Sequence, residues 1–320
     1  MDLQPTSTRR LGVLMHLHVV DVPIRKDYHY RAFHHRVISF ARMMRDAGAD
    51  VDVQSSLLID IHPQWTHESF RSHNEVVIRS LTTRISPRDV ICVIGGDHQQ
   101  SIAEAFPENQ TVEFAIGYPG TFSPYRVFAS YAWMHTVYGR QQHEGVTHGH
   151  FYDEVIPHWY DPEQFPLGPG GDYLLYFGRD AADKGLEVVR NVARRMRVPL
   201  VKAGGGDVDD AERARLMGGA RAVLMPTLYV EPFGNVAVEA QLCGTPAITT
   251  DWGGFTETVE PEFRCRTLAE FCTAVDRAAS VDRSAVRQRA IDLYSTDVIR
   301  PQYERYFSRL EALWGEGWYA

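Results

Sequence analysis

Residues 221–239 read RAVLMPTLYVEPFGNVAVE, an apolar run followed by two glutamates eight positions apart around an aromatic-glycine pair. "RAVLMP" has the composition of a buried strand, Pro232 and Gly234 end it, and Asn235 to Leu242 have good helix-forming content. This places Glu231 in the turn ahead of a helix and Glu239 about one turn inside it, roughly 6 Å further on at a rise of about 1.5 Å per residue. Both carboxylates are expected to face one crevice. A strand that turns directly into a helix is half of a parallel βα unit, and the rest of the chain decides whether the unit repeats.

It repeats. Upstream come "DYLLYFG" as strand, "KGLEVVRNVARRM" as helix, "PLVKAGGG" as strand and loop, and "DDAERARLMGG" as helix; downstream come "PAITT" as strand and helices from "LAEFCTAVDRAAS" onward. The first half shows the same alternation. "RRLGVLMHLHVV" begins with a β-type run, and Phe33, Val37, Phe40, Ala41 and Met44 follow at helical spacing. "ADVDV", "RDVICVIGG" and "TVEFAIG" read as strands, "QQSIAEAF" as a helix, and "RVFASYAWMHTVYG" as a short strand leading into a helix. Between the halves, "DEVIPHWYDPEQFPLGPGGD" has the proline and glycine content of a linker. The predicted fold is α/β, with two facing Rossmann-like domains, residues 1–152 and 153–295, and a ligand cleft between them at the carboxyl ends of the strands. Residues 296–320 are predicted to form a helix packing across both domains, with Tyr303, Tyr306, Phe307, Leu310 and Leu313 on one stripe.

A chain of 320 residues with 44% hydrophobic content is long enough for two cores. Forty-one acidic against 33 basic residues give a net charge of -8, which argues against a stable nucleic-acid partner held through its phosphates. Cys92, Cys243, Cys265 and Cys272 lie in apolar stretches at unpaired-looking spacings, which predicts reduced thiols and a cytoplasmic protein. No signal-peptide core and no run of 18 apolar residues is present; peripheral membrane contact stays open.

Chemistry concentrates after the strands of the second half. Gly178 and Arg179 follow one strand and Lys184 precedes a helix, so two cations converge near a positively polarised helix start, a setting for a phosphate or diphosphate; a solvated basic loop is the plain alternative. Gly204 and Gly205 allow close backbone approach to a ligand, or make a mobile turn. Gly253 and Gly254 lie between a strand and a short helix bearing Glu257. Asp50 and Asp52 fall in a predicted strand, and Asp207 and Asp209 at a helix start where aspartates cap, so both pairs read as structural. His143, His148 and His150 lack a carboxylate or thiol placed to complete a site, and no metal is expected.

Taken in order, "GR…KG", "AGGG", "LMPTLYVEPFGNVAVEAQLCGTPAITTDWGG" and "ETV" resemble the donor-binding half of the retaining GT-B glycosyltransferases, the large family with a glutamate pair in an EPFG context. The resemblance covers about residues 153–260, and "DEVIPHWYDPEQF" is similar to that family's interdomain segment. It implies a metal-independent transfer of a sugar from a nucleotide diphosphate donor, UDP-linked by default, to an acceptor hydroxyl, with no cofactor. It implies that Glu231 lies near the transferred sugar, that Glu239 accepts from the ribose hydroxyls, and that backbone N–H groups of Phe233, Gly234, Asn235 and Val236 hold sugar hydroxyls or phosphate oxygens. Arg179 and Lys184 then neutralise the leaving diphosphate.

The first half departs from the family. The usual glycine pair after the first strand is replaced by "HLHVVDVPIRKDYHYRAFHH", and Tyr118 and Pro119 stand where a histidine is common. Tyr28, His29, His34 and Tyr118 are the acceptor-side candidates, with packing as the alternative. A glycan, a lipid-linked or natural-product acceptor fits, a modified nucleobase less well. Two other functions remain in competition: a nucleotide-sugar epimerase of related fold, and a non-catalytic nucleotide-sugar binder.

Overall fold

In the computed structural model the described residues are 15–23, 31–55, 67–143, 149–204 and 208–312. They fall into two compact units: residues 1–128, 147–156 and 300–320 form the first, and residues 129–146 and 157–299 the second.

The first unit contains β1 (His16–Val20), α1 (Arg31–Asp46), β2 (Asp50–Gln54), α2 (His67–Leu81), β3 (Val90–Val93), α3 (Gln100–Ala105), β4 (Thr111–Ile116) and β5 (Tyr125–Phe128). The helix α4 (Tyr131–His143) belongs to the second unit, and the chain returns to the first for β6 (Glu154–Val155). The resulting sheet is parallel, in the order β2-β1-β3-β4-β5-β6. The helical spacing of Val37, Phe40, Ala41 and Met44 produces a fully buried face on α1, and Phe40 stacks on Phe114 of β4 at 4.2 Å between ring centroids. Strands covered by helices on both faces need apolar residues throughout, which is why every residue of β3 and β4 is buried.

The second unit continues with β7 (Leu174–Phe177), α5 (Leu186–Met196), β8 (Leu200–Ala203), α6 (Asp210–Gly219), β9 (Ala222–Met225), α7 (Asn235–Leu242), β10 (Ala247–Thr250), α8 (Phe255–Thr258), β11 (Arg264–Cys265), α9 (Leu268–Ala278), α10 (Arg283–Tyr294) and the first residues of α11 (Thr296–Ala312), which passes into the first unit at Arg300. Its sheet is also parallel, in the order β11-β10-β9-β7-β8. The apolar faces of α5, α7 and α9 close its core with Val189, Val238 and Val275. Asp209 caps α6 by accepting from the Glu212 N–H, and Asp50 and Asp52 lie in β2, so these aspartates sit in the elements expected for them.

In α11, Tyr303, Tyr306, Phe307 and Leu310 are buried, and Phe40 meets Tyr303 and Phe307 at 5.1 and 6.3 Å between centroids. Leu313 lies outside the described residues. The four cysteines are free thiols, and burial pushes those of Cys243 and Cys265 up to about 12. Among the described residues no helix is long and apolar enough to cross a membrane. The sequence reading passes over α2 and the short edge strand β11.

Candidate functional site

In a doubly wound sheet a ligand crevice forms where consecutive strands are laid down in opposite directions from a shared start. In the second unit this is the space beyond the carboxyl ends of β7 and β9, because β8 is added on one side of that pair and β10 and β11 on the other. Two connecting segments leave this point, residues 178–185 after β7 and residues 226–234 after β9. They are pressed together. Gly185 has φ +71°, and a Cβ there would overlap the carbonyl oxygen of Pro226; the Leu228 N–H donates to the Asp183 carbonyl at 2.8 Å. Only glycine tolerates that conformation at that distance.

The approach delivers Lys184 to Glu231. Lys184 Nζ donates to Glu231 Oε2 at 3.1 Å, with both side chains mostly buried (19% and 14% exposed), and Tyr229 Oη donates to the same oxygen at 2.9 Å. Lys184 Nζ also contacts Tyr229 Oη and lies 4.6 Å from the ring centroid. Burial, then the neighbouring Glu231 charge, pushes the Tyr229 phenol well above its ordinary range, so it stays a neutral donor. Arg179 is exposed at the start of the first segment, with its carbonyl accepting from Tyr176 Oη at 2.6 Å. Gly178 donates its N–H to Ala203 at 2.9 Å and Gly204 lies at the end of β8; Gly205 lies outside the described residues.

The EPFG turn is fixed from below. Gly234 has φ +94° at the start of α7, and a Cβ there would overlap the Phe255 ring. Phe233 is buried against His158 and Tyr294, at 4.6 and 5.7 Å between centroids, and the Gly254 N–H donates to the Glu231 carbonyl at 2.7 Å. Asn235 Oδ1 accepts from His158 Nδ1 at 2.7 Å and Tyr160 Oη at 2.6 Å, which sets the first residue of α7. Val236 follows, half-buried. Ser130 Oγ donates to the Pro232 carbonyl at 2.5 Å, and the Glu257 carboxylate caps α4 by accepting from the Tyr131 and Ala132 N–H groups at 3.0 and 2.8 Å.

Glu239 is buried one turn into α7, and its Oε1 accepts from Arg213 Nη2 of α6 at 2.8 Å. The two glutamates therefore answer to different cations, Lys184 and Arg213. Tyr229, Arg213, His158 and Tyr160 are absent from the sequence-derived candidates. Tyr229 was within reach, since an extended Tyr229-Val230-Glu231 places the first and third side chains on one side. Nothing in the sequence marks Arg213 among the arginines of its helix.

In the first unit, His34 Nδ1 lies 2.6 Å from Oδ2 of the fully buried Asp21, directly after β1. The Asp21 carbonyl accepts from His73 Nε2 and Gln99 Nε2, both at 2.8 Å. Burial raises the Asp21 carboxyl against the opposing pull of His34, and burial lowers His73 to about 4. Tyr118 Oη lies 3.4 Å from Glu113 Oε1, while Glu113 Oε2 accepts from the Phe122 and Ser123 N–H groups; burial pushes the Glu113 carboxyl up to about 7. His34 and Tyr118 thus sit on separate carboxylates. Tyr28 and His29 lie outside the described residues.

Residues 204–285, which hold Arg213, Tyr229, Glu231 and Glu239, match the family described as Glycosyl transferases group 1. The glycogen synthase of Mycobacterium tuberculosis is 37% identical over 103 residues, 31% of this chain and 24% of that protein, so the chain spans about a quarter of this relative's length. An uncharacterized glycosyltransferase of Methanocaldococcus jannaschii is 29% identical over 116 residues, covering 28% and 30% of the two chains. Among solved structures, sucrose-phosphate synthase from Thermosynechococcus elongatus superposes with a TM-score of 0.73 at 14% identity, over 93% of this chain and 100% of that one. HepE of Anabaena in complex with UDP-glucose gives a TM-score of 0.65 at 14% identity, over 93% and 100%. The fold is therefore that of these GT-B structures, α/β with two parallel Rossmann-like sheets.

Proposed function

We propose that the protein is a retaining glycosyltransferase that moves a sugar from a nucleotide diphosphate donor, UDP-linked by preference, to an acceptor hydroxyl without a metal in the transfer step. The observation that carries this reading is the Lys184, Glu231 and Tyr229 cluster at the strand-order switch of the second unit, inside a group 1 glycosyl transferase context. An ammonium held beside a carboxylate is a cation already positioned, and it can turn to a diphosphate as negative charge builds on the leaving group. Arg179, exposed on the same segment, supplies the second cation. Glu231 faces the transferred sugar. Glu239, oriented by Arg213, accepts from the vicinal ribose hydroxyls, and the first N–H groups of α7 receive sugar or phosphate oxygens.

In this reading residues 153–295 bind the donor and residues 1–152 the acceptor through His34 and Tyr118. The setting is cytoplasmic, in keeping with four free thiols. HepE, solved with UDP-glucose, motivates the UDP preference. The test is incubation of the full chain with a panel of labelled nucleotide-sugars, with NMR on any product. Slow nucleotide release with retained anomeric configuration is expected. A changed sugar still attached to its nucleotide would make the protein an epimerase, and binding without turnover a non-catalytic binder.

A further inference from the structure

The alternation along β1 sends Leu17 and Val19 to one face of the first sheet and His16 and His18 to the other. Imidazoles in the second strand of a buried parallel sheet are costly unless their nitrogens are engaged. His18 is fully buried, yet its Nδ1 has no hydrogen-bond partner among the described residues, and neither has the buried Nε2 of His16. The flanking strands bring carboxylates to the same place. Asp52 of β2 is in register with His18, and Asp89 immediately precedes β3.

The distances form a cluster. His16 Nδ1 and His18 Nε2 lie 3.4 and 3.1 Å from one oxygen, Asp89 Oδ2, and a ligand atom from each of the three residues falls within 4.8 Å of the others. That oxygen already accepts from the Ser86 N–H at 2.8 Å. A carboxylate oxygen offers about two lone-pair sites, so one remains for two imidazoles. A cation among the three serves both with that single site. Ligand atoms at about 2.0–2.1 Å around a tetrahedral zinc are about 3.3 Å apart, close to the spacings seen. On the far side of the ring, His16 Nε2 is 3.5 Å from Asp52 Oδ2, the placement of a carboxylate that orients a metal-bound histidine through its other nitrogen.

We propose that His16, His18 and Asp89 form a binding site for one divalent metal ion of the zinc class at the amino-terminal edge of the first sheet, with Asp52 orienting His16. Two neutral imidazoles and two carboxylates give a net charge that a divalent cation cancels. Imidazole with carboxylate suits zinc, and three protein ligands leave one position for water. The site is at the opposite end of β1 from Asp21 and His34, and its role is to tie β1 to β2 and β3. It is independent of the transfer chemistry, so its failure and the failure of the glycosyltransferase reading are separate results.

The test uses the full chain stripped of metal with a chelator, exchanged into metal-free buffer and titrated with Zn²⁺, and with Co²⁺ as a spectroscopic probe. One saturable equivalent per chain is expected, with visible cobalt absorption of a low-coordinate site and a zinc-dependent rise in Tm. His16→Ala, at a partly exposed position, should weaken binding at least 100-fold, and Asp52→Asn about 10- to 100-fold, as for a lost orienting partner. Asp89→Asn gives a further check with shape preserved. The half-buried Cys272 and the exposed histidines set a background that His16→Ala measures directly. An absence of saturable binding, or affinity unchanged in folded His16→Ala and Asp52→Asn proteins, overturns the proposal.

Discussion

Each sheet carries a polar cluster just past its strand-order switch, and the two are built in opposite ways. In the second unit Lys184, Tyr229 and Glu231 come from two connecting segments that glycine backbone presses together, and their side chains share partners that a ligand can displace. In the first unit Asp21 is wholly buried and anchored through its own turn, His34, His73 and Gln99. One arrangement joins a cation and a carboxylate from two connecting segments; the other ties a buried aspartate to several elements through its side chain and its carbonyl. Charge meant for a ligand is best kept on a rigid backbone with exchangeable partners, because preorganised groups then need no rearrangement as the reaction proceeds.

That contrast breaks most readily at Lys184. If its ammonium acts on the leaving diphosphate, Lys184→Ala lowers kcat by roughly 10²-fold or more, in line with about 3 kcal/mol for one lost transition-state contact. Arg179→Ala should behave similarly, and the double variant should fall short of the product of the two because both act on one diphosphate. Near-normal turnover in a folded Lys184→Ala protein would reduce the Lys184 cluster to a structural ion pair.

The first unit is tested by pH. Glu113 is held protonated by burial, with its carboxyl raised from 4.5 to about 7. Its contribution to stability is fully present below about pH 4.5 and is lost as pH rises through about 7, because the folded state binds the proton more tightly. Glu113→Gln should therefore match the parent near pH 4.5 and gain on it by roughly 3 kcal/mol near pH 8, at about 1.4 kcal/mol per pKa unit. Parallel denaturation curves across that range would show that Glu113 is ionised in the fold.

A smaller effect is expected at Glu239. Glu239→Ala should raise the donor KM about 10-fold with little change in kcat, since the ribose is remote from the reacting bond and a hydrogen bond to a charged group contributes about 1.5–3 kcal/mol. A fall in kcat at constant KM would move this residue into the reaction itself. The smallest change is expected from EDTA, which should leave the transfer rate within about twofold at 25 °C if Lys184 and Arg179 supply the charge neutralisation that a metal ion would otherwise provide. Loss of turnover restored by Mn²⁺ or Mg²⁺ would end the metal-free reading.

The second unit was readable because its strands and helices keep their periods and its candidate side chains flank glycine-marked turns. Gly185, Gly234, Gly253 and Gly254 are all visible as punctuation, although their close contacts with Pro226, Phe255 and Glu231 are not. The first unit hides more. In α2 the buried face includes Ser69, His73 and Asn74 beside Phe70, Val77 and Leu81, so polar residues interrupt the apolar stripe that announces a helix. Asp21 carries no sequence signal of its own, and its bond to His34 joins positions 13 apart through a turn that no pattern specifies. His158 and Tyr160 fall in a segment with linker composition, yet both converge on Asn235. Their i, i+2 spacing was the one available signal.

The division of α11 has a consequence for biosynthesis. Residues 300–320 complete the first unit, where Tyr303 and Phe307 cover Phe40 and Tyr306 Oη donates to the Tyr152 carbonyl at 3.1 Å. A ribosome has therefore made all of the second unit before it releases the aromatic cover of the first. Until then Phe40 and its neighbours lack their lid, and a nascent chain ending near residue 299 is a natural client for chaperones that recognise exposed apolar surface. The order of synthesis makes the earliest sheet the last to be sealed.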